Sequence, residues 1–125
     1  MSAIVVAQRL RFTAAAQTRL DLCLRSVLAE ALTDELVIVD LGNDAEISSM
    51  LRAFQVDRRD VKLLAVPSDV SAAAAANEGA KQSRGRWLLF LDPDVVLQRG
   101  AVGRLAAAGG AARTPCIIGG RLTDI

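Results

Sequence analysis

Short apolar runs alternate with segments of helical periodicity along this 125-residue chain. The runs are rich in Val, Ile and Leu with little polar alternation, which is typical of strands covered on both faces in a parallel sheet. They lie at residues 3–7, 35–40, 61–66, 86–92 and, more weakly, 116–120. The alternation predicts a single α/β domain over residues 1–125, with a mainly parallel sheet flanked by helices.

Four helices are predicted between these runs. Residues 17–32 carry a helical stripe formed by Leu20, Cys23, Leu24, Val27, Leu28 and Ala31. A second helix is expected over residues 45–54, and a third follows Ser71, a suitable N-cap, to about residue 83. The fourth is expected over residues 100–108, ended by Gly109 and Gly110.

The composition limits the chemistry. A net charge of +1 lacks the excess of basic residues that nucleic acids or anionic membranes select. The chain has no histidine, so carboxylates are the ligands left for a hard cation. Cys23 and Cys116 lie far apart in apolar runs, which predicts buried free thiols in a reducing cytoplasm. The run at residues 3–7 is too short for a signal peptide, and no stretch reaches the roughly 18 apolar residues of a membrane span.

The run at residues 86–92 ends in Asp92-Pro93-Asp94, which predicts a metal site. Two carboxylates held close together repel each other unless a cation neutralises them. A divalent ion that binds one or two carboxylates together with substrate phosphates fits this pattern. The alternative interpretation is a polar turn that closes the strand, because Asp and Pro are both turn residues.

A second acid, Asp40, also ends an apolar run. Because ligands bind outside the carboxyl ends of parallel strands, the acids of both runs should share one edge of the sheet. Asp40 could accept a hydrogen bond from a base or a ribose hydroxyl, and Gly42 permits close backbone approach or a positive φ. The alternative is a plain turn in which Asn43 or Asp44 caps the next helix.

Asn77 and Gly79 are poor helix formers inside an alanine-rich helix, which indicates a packing or a ligand requirement. The alternative is a polar surface stretch whose glycine packs against a neighbouring element. The sequence contains neither G-x-G-x-x-G after the first run nor a P-loop motif, and it has no nucleophile elbow.

Taken in order, these pieces resemble the family 2 glycosyltransferases, the inverting GT-A group that uses nucleotide sugars. The resemblance extends from "AIVVA" through "ELVIVDLGND" to "IIGGRLTD". Its strongest part is Asn77-x-Gly79, followed by Gly85 and an apolar run that leads into Asp92-x-Asp94. It implies a Rossmann-like GT-A nucleotide-diphospho-sugar transferase fold, incomplete at the C-terminal side.

The resemblance also implies roles for individual residues. Asp40 would contact the nucleobase, Asp92 the ribose or the metal shell, and Asp94 an Mn²⁺ or Mg²⁺ ion on the diphosphate of a UDP- or dTDP-linked sugar. Gly42, Asn77 and Gly79 would help to form the donor pocket. The metal would act as a Lewis acid toward the leaving nucleoside diphosphate.

The chain departs from the family in its first turn, where Gln8-Arg9 stands in place of an aromatic–Asn pair, and in length. Family members are about twice as long, and their second half supplies the acceptor site and the general base. We therefore expect the base beyond Ile125, since nothing marks Asp124 as one, and we expect this chain alone to be inactive.

Two other hypotheses are alternatives to a donor-binding domain. One is a non-catalytic nucleotide-binding module stabilised by self-association as a homodimer. The other is a receiver-type signalling domain, which would need paired acids where this chain has Gln8-Arg9 and a lysine where it has Arg121.

Overall fold

A computed structural model describes residues 1–123 and shows four strands and four helices alternating along that part of the chain. The elements are β1 Ser2–Gln8, α1 Ala14–Leu28, β2 Glu35–Leu41, α2 Ala45–Gln55, β3 Val61–Val66, α3 Ala72–Lys81, β4 Leu88–Leu91 and α4 Ala101–Gly110. All strands are parallel, in the order β3-β2-β1-β4. The predicted parallel α/β architecture is confirmed. Asp124 and Ile125 lie outside the described residues.

The sheet extends from β1 in both directions, and the change of direction lies between β1 and β4. The sheet grows from β1 through β2 to β3 on one side, and the next strand along the chain is then added on the other side of β1. Such a reversal opens a crevice at the carboxyl ends of the two strands concerned, where open α/β sheets bind ligands. The topology therefore directs attention to the ends of β1 and β4.

Two apolar layers enclose the centre of the sheet. On one face Ala3, Val5 and Ile38 pack with the buried faces of α1 and α2. On the other face Ile4 and Val39 belong to a smaller cluster that α3 covers. Apart from Val6, Gln8 and Asp40, the residues of β1 and β2 are buried, so these two strands form the rigid centre of the domain.

A buried carboxylate fixes the opposite, amino-terminal edge of the sheet. Glu35 accepts hydrogen bonds from Ser2 Oγ at 2.6 Å and from the Arg84 backbone N–H at 2.5 Å. Lys62 Nζ lies 3.2 Å from its second oxygen. Burial raises the pKa of Glu35, but the bonds from Ser2, Arg84 and Lys62 outweigh it and lower the pKa to about 2. Ser2 Oγ also accepts from the Gly85 N–H, so this cluster fixes the start of β4.

The last part of the chain differs from the sequence-based expectation. Residues 116–120 form no strand, and Ile117 is fully exposed. The run has only three apolar residues before Gly119 and Gly120, and glycine weakens a strand. Helix α4 continues through Gly109 and Gly110 instead of ending before them. Gly109 lies against the indole ring of Trp87, where a Cβ would approach to 2.8 Å, so close packing explains this glycine.

Strand β4 is covered on one face only, contrary to the expectation for a continuous apolar run. Leu89 and Leu91 pack against the α1 side of the core. Leu88 and Phe90, on the opposite face, are 41% and 53% exposed. Helix α3 covers the neighbouring part of this face, over β1 and β2, and leaves the β4 part open.

Both cysteines are free, as predicted, but only Cys23 is buried and Cys116 is partly exposed. None of the helices within residues 1–123 has the length and apolar character that crossing a membrane requires.

Candidate functional site

The acids singled out in the sequence lie along the same carboxyl edge of the sheet, on the two strands that flank β1. In the register, Asp40 of β2 pairs with Ala7 of β1, and Leu91 of β4 pairs with Val5. Asp92 therefore comes one residue beyond the last β1–β4 pair, almost level with Asp40. Since β2 and β4 flank β1, their backbones lie about 10 Å apart. The arrangement places carboxylates on both sides of the crevice at the end of β1.

The carboxylate of Asp40 is fixed by Asn43. The Asn43 side-chain amide donates to Asp40 Oδ1 at 2.6 Å and to the Ala7 carbonyl at 2.7 Å. The Asn43 side-chain oxygen accepts from the Leu10 N–H at 2.8 Å. One amide thus ties the end of β1, the loop after it and Asp40 together, which leaves the second oxygen of Asp40 for a ligand.

The helix-capping interpretation of this turn is correct for the position of Asp44 but not for its side chain. Asp44 occupies the N-cap position of α2, but its side chain makes no capping bond and accepts instead from the Phe12 N–H at 2.9 Å. Asn43 likewise bonds to the loop after β1. Sequence reasoning missed the role of Asn43, because two of its three partners, Leu10 and Ala7, are 33 and 36 residues away and no local pattern marks them.

Two residues with positive φ lie beside this corner. Gly42 has φ 62°, as its residue type permits, and Arg9 has φ 48°, which is uncommon for a residue with a side chain. The Arg9 N–H donates to the Leu41 carbonyl at 2.8 Å, and its side chain passes close to Gly42. A Cβ at Gly42 would lie 3.5 Å from Arg9 Cγ. That distance is an ordinary contact, so the positive φ rather than a lack of space favours glycine here, and the Arg9 side chain brings a positive charge to the carboxyl edge.

The second acidic corner has exposed carboxylates and an anchored backbone. Asp92 and Asp94 are exposed, and the hydrogen bonds and ion pairs described for residues 1–123 include none to either carboxylate. The Asp92 carbonyl accepts from the Val95 N–H at 3.2 Å and from Cys23 Sγ at 3.5 Å. Burial, and then the negative charges of Asp94 and Asp92, raise the pKa of the Cys23 thiol to about 12. The thiol therefore stays protonated and can donate to the Asp92 carbonyl.

The donor set at this corner fits a hard divalent cation that is shared with a substrate. Within the described range, residues 1–123, no group of three or more Cys, Asp or Glu side chains could hold an ion by itself. Asp92 and Asp94 supply two carboxylates, and Mg²⁺ and similar ions complete such a set with phosphate oxygens and water. The corner fits an ion that arrives with a diphosphate better than a permanent all-protein site.

Asn77 and Gly79 lie farther from the crevice. Gly79 is buried against β1 and β2, where a Cβ would approach Ile4 Cγ2 to 2.8 Å and Val39 Cγ2 to 3.2 Å. Close packing of α3 on the sheet therefore explains this glycine. Asn77 is exposed on the same helix. Among the hydrogen bonds of residues 1–123, none joins Asn77 or Gly79 to Asp40, Asp92 or Asp94.

Residues 12–124 match the sequence profile described as Glycosyl transferase family 2. The chain belongs to this family. The matched range includes both acidic corners of the carboxyl edge and everything from α1 to α4. The family expected from the order of the sequence motifs is confirmed, and the chain corresponds to the N-terminal half of a family 2 glycosyltransferase.

Solved structures share the fold at low sequence identity. The crystal structure of S. aureus TarS 1-349 has a TM-score of 0.67 and 18% identity, covering 87% of this chain and 32% of that one. The crystal structure of S. aureus TarS 1-349 in complex with UDP has a TM-score of 0.64 and 16% identity, covering 87% of this chain and 32% of that one. The complex with UDP-GlcNAc has a TM-score of 0.58 and 17% identity, covering 87% of this chain and 31% of that one. A search of curated proteins finds no sequence match.

These structures confirm the GT-A type, Rossmann-like fold for the part of the domain that this chain contains. The chain spans about a third of TarS 1-349 and 19% of the longer TarS structure.

Proposed function

We propose that this chain binds a nucleoside-diphosphate sugar, UDP- or dTDP-linked, at the crevice between β1 and β4, for inverting transfer to an acceptor hydroxyl. The observation that carries the proposal is the placement of Asp40 on one side of the β1 end and Asp92 and Asp94 on the other, at the reversal of strand order. The TarS complexes with UDP and UDP-GlcNAc share this fold, which supports the same class of ligand.

The proposed roles follow from the two corners. Asp40, oriented by Asn43, contacts the nucleobase, and Gly42 allows the ligand to approach the backbone. Asp92 contacts the ribose or the metal shell, and Asp94 binds Mn²⁺ or Mg²⁺. When bound, the ion would offset the charge that develops on the leaving nucleoside diphosphate.

Asn77 and Gly79 contribute to the pocket through the position of α3, which Gly79 sets by its close packing on Ile4. We assign no general base within this chain and expect it beyond Ile125, so that the chain alone does not transfer sugar. A reducing cytoplasm is the proposed location, supported by the free and buried thiol of Cys23.

The test is calorimetric titration of UDP into the chain, with Mn²⁺ and with EDTA. We expect Mn²⁺ to raise the affinity for UDP. We expect Asp94→Asn to lower the UDP affinity measured in Mn²⁺ by about tenfold or more. The matched control is Asp60→Asn, an exposed acid directly before β3 at the opposite edge of the sheet. Equal UDP affinity in Mn²⁺ and EDTA for the unmodified chain would contradict the metal role.

The exposed face of β4 favours a second candidate, a non-catalytic nucleotide-binding module that self-associates. Leu88 and Phe90 leave apolar surface on β4, which is an edge strand of the sheet, and such a surface invites pairing. Sedimentation velocity of the chain and of Phe90→Glu distinguishes the cases. A dimer that the substitution dissociates, together with UDP binding that ignores Mn²⁺, would favour this candidate.

A further inference from the structure

Three side chains from α1 and the turn that follows it hold the backbone of the segment that carries Asp92 and Asp94. Cys23 and Ser26 belong to α1, and Glu30 lies in the turn just after Ala29, the C-cap of the helix. Cys23 and Ser26, three residues apart, lie on the same side of the helix, and Glu30 comes four residues after Ser26. We name these three residues the α1 ladder, and residues 92–100, which lead from β4 to α4, the acidic loop.

Each member of the α1 ladder bonds to a backbone group in or directly after the acidic loop. Cys23 Sγ lies 3.5 Å from the Asp92 carbonyl, and Ser26 Oγ accepts from the Leu97 N–H at 3.0 Å. Ser26 Oγ also donates to the Cys23 carbonyl at 2.7 Å, which fixes the direction of its lone pairs toward the loop. These contacts join positions that are 69 and 71 residues apart in the chain.

Glu30 anchors the far end of the acidic loop. Its two oxygens accept from the Gly100 N–H and the Val102 N–H, each at 3.0 Å. Gly100 is the N-cap of α4 and has no side chain to satisfy the first N–H groups of the helix. The buried Glu30 carboxylate replaces that cap from another element, and its negative charge suits the amino end of the helix.

The acidic loop has little internal support. It contains neither strand nor helix, and its internal backbone bond runs from the Val95 N–H to the Asp92 carbonyl. The Ala101 N–H at the start of α4 bonds back to the Gln98 carbonyl. Unpaired backbone groups at a part-buried position are costly, so the bonds from the ladder fix where this loop lies.

We propose that the α1 ladder is a positioning device that holds Asp92 and Asp94 in the geometry that binds a divalent cation with a nucleotide diphosphate. This inference rests on the proposed metal site. The ladder acts through the backbone of the acidic loop and does not touch the cation. It should therefore govern the gain in UDP affinity that Mn²⁺ supplies, and leave the metal-free affinity supplied by the Asp40 corner unchanged.

The experiment compares Ser26→Ala, Glu30→Gln and Cys23→Ala with the unmodified chain. Amide hydrogen exchange without metal reports on the acidic loop, and UDP titration in Mn²⁺ and in EDTA separates the two affinities. We expect exchange within residues 94–100 to accelerate and the Mn²⁺ gain to fall about fivefold for each variant, with the EDTA affinity unchanged. Cys23→Ser keeps a donor for the Asp92 carbonyl and should retain most of the gain.

Two controls separate this inference from a general loss of stability. Ser49→Ala and Glu46→Gln remove the same groups from exposed positions of α2 and should change neither readout. If the variants exchange faster in the acidic loop yet keep the full gain in UDP affinity from Mn²⁺, the positioning role of the α1 ladder is contradicted. The proposed function would then stay intact. An unmodified chain that shows no Mn²⁺ gain would instead overturn the metal site, and the ladder's role with it.

Discussion

The two acidic corners of the carboxyl edge are built in opposite ways. The carboxylate of Asp40 is held by the Asn43 amide at 2.6 Å, and its backbone lies inside the sheet. Asp92 and Asp94 have a backbone anchored by α1 and carboxylates without a described protein partner within residues 1–123. A carboxylate that is already bonded has a fixed direction and suits recognition of a neutral donor. Two free carboxylates keep their capacity for a cation.

A third acid extends this comparison to the amino-terminal edge. Glu35 is more tightly held than Asp40, because it is buried and bonded to Ser2, Arg84 and Lys62. Acids with more protein partners should contribute more to folding and less to ligand binding. The predictions below follow that order.

The largest expected effect is that of Glu35→Gln, which should lower the free energy of unfolding by about 2–3 kcal/mol at pH 7. The carboxylate has a pKa of about 2 in the folded state, below its ordinary 4.5. Its stabilisation is therefore fully present above pH 4.5 and lost as the pH falls toward 2. Denaturant unfolding from pH 7 to pH 2 should show the two proteins converging at low pH. Glu46→Gln, at an exposed position, is the control.

An intermediate effect is expected for Asn43→Ala. The substitution leaves the Ala7 carbonyl and the Leu10 N–H without their partner, which should cost about 2 kcal/mol of stability. It also releases Asp40, so the UDP affinity measured in EDTA should fall about fivefold. Denaturant unfolding and calorimetric titration measure the two effects. Gln17→Ala removes an exposed amide and should change neither. If a folded Asn43→Ala chain bound UDP in EDTA as tightly as the unmodified chain, Asn43 would not orient Asp40 for binding, and the contrast between the two corners would fail.

The smallest effect on folding is expected for Asp94→Ala. The exposed Asp94 carboxylate makes no hydrogen bond or ion pair within residues 1–123. The free energy of unfolding should therefore stay within about 0.5 kcal/mol of that of the unmodified chain. The same substitution should abolish most of the Mn²⁺-dependent gain in UDP affinity. Denaturant unfolding in EDTA measures the first quantity. A loss of more than about 1 kcal/mol would mean that Asp94 is a structural residue like Glu35.

The sequence predicted those parts of the molecule that depend on local patterns. Four of the five apolar runs correspond to the strands of the structure, and the four predicted helices are present, with the Ser71 side chain capping α3 as expected. The rule that parallel strands end at one edge was enough to bring Asp40 and Asp92 together. Each of these features is written into neighbouring residues.

The parts that sequence reasoning missed depend on contacts between distant positions. Asn43, Ser26 and Glu30 bond largely to backbone groups, which every residue possesses, so no pattern of side chains marks them. The exposure of Phe90 could not be read from its run either, since an apolar strand looks the same whether or not a helix covers it. Gly109 is explained only by the Trp87 ring that lies against it.

The most direct test of the metal corner uses the paramagnetism of Mn²⁺. Amide signals of the isotopically labelled chain would be recorded by NMR with UDP and either Mg²⁺ or substoichiometric Mn²⁺. Binding at Asp92 and Asp94 predicts selective broadening of signals from residues 91–97 and from the neighbouring turn at Gly42, with Ser2, Glu35 and Lys62 at the far edge unaffected. Broadening centred elsewhere, or the same pattern in the Asp94→Asn chain, would contradict a cation held by these two carboxylates.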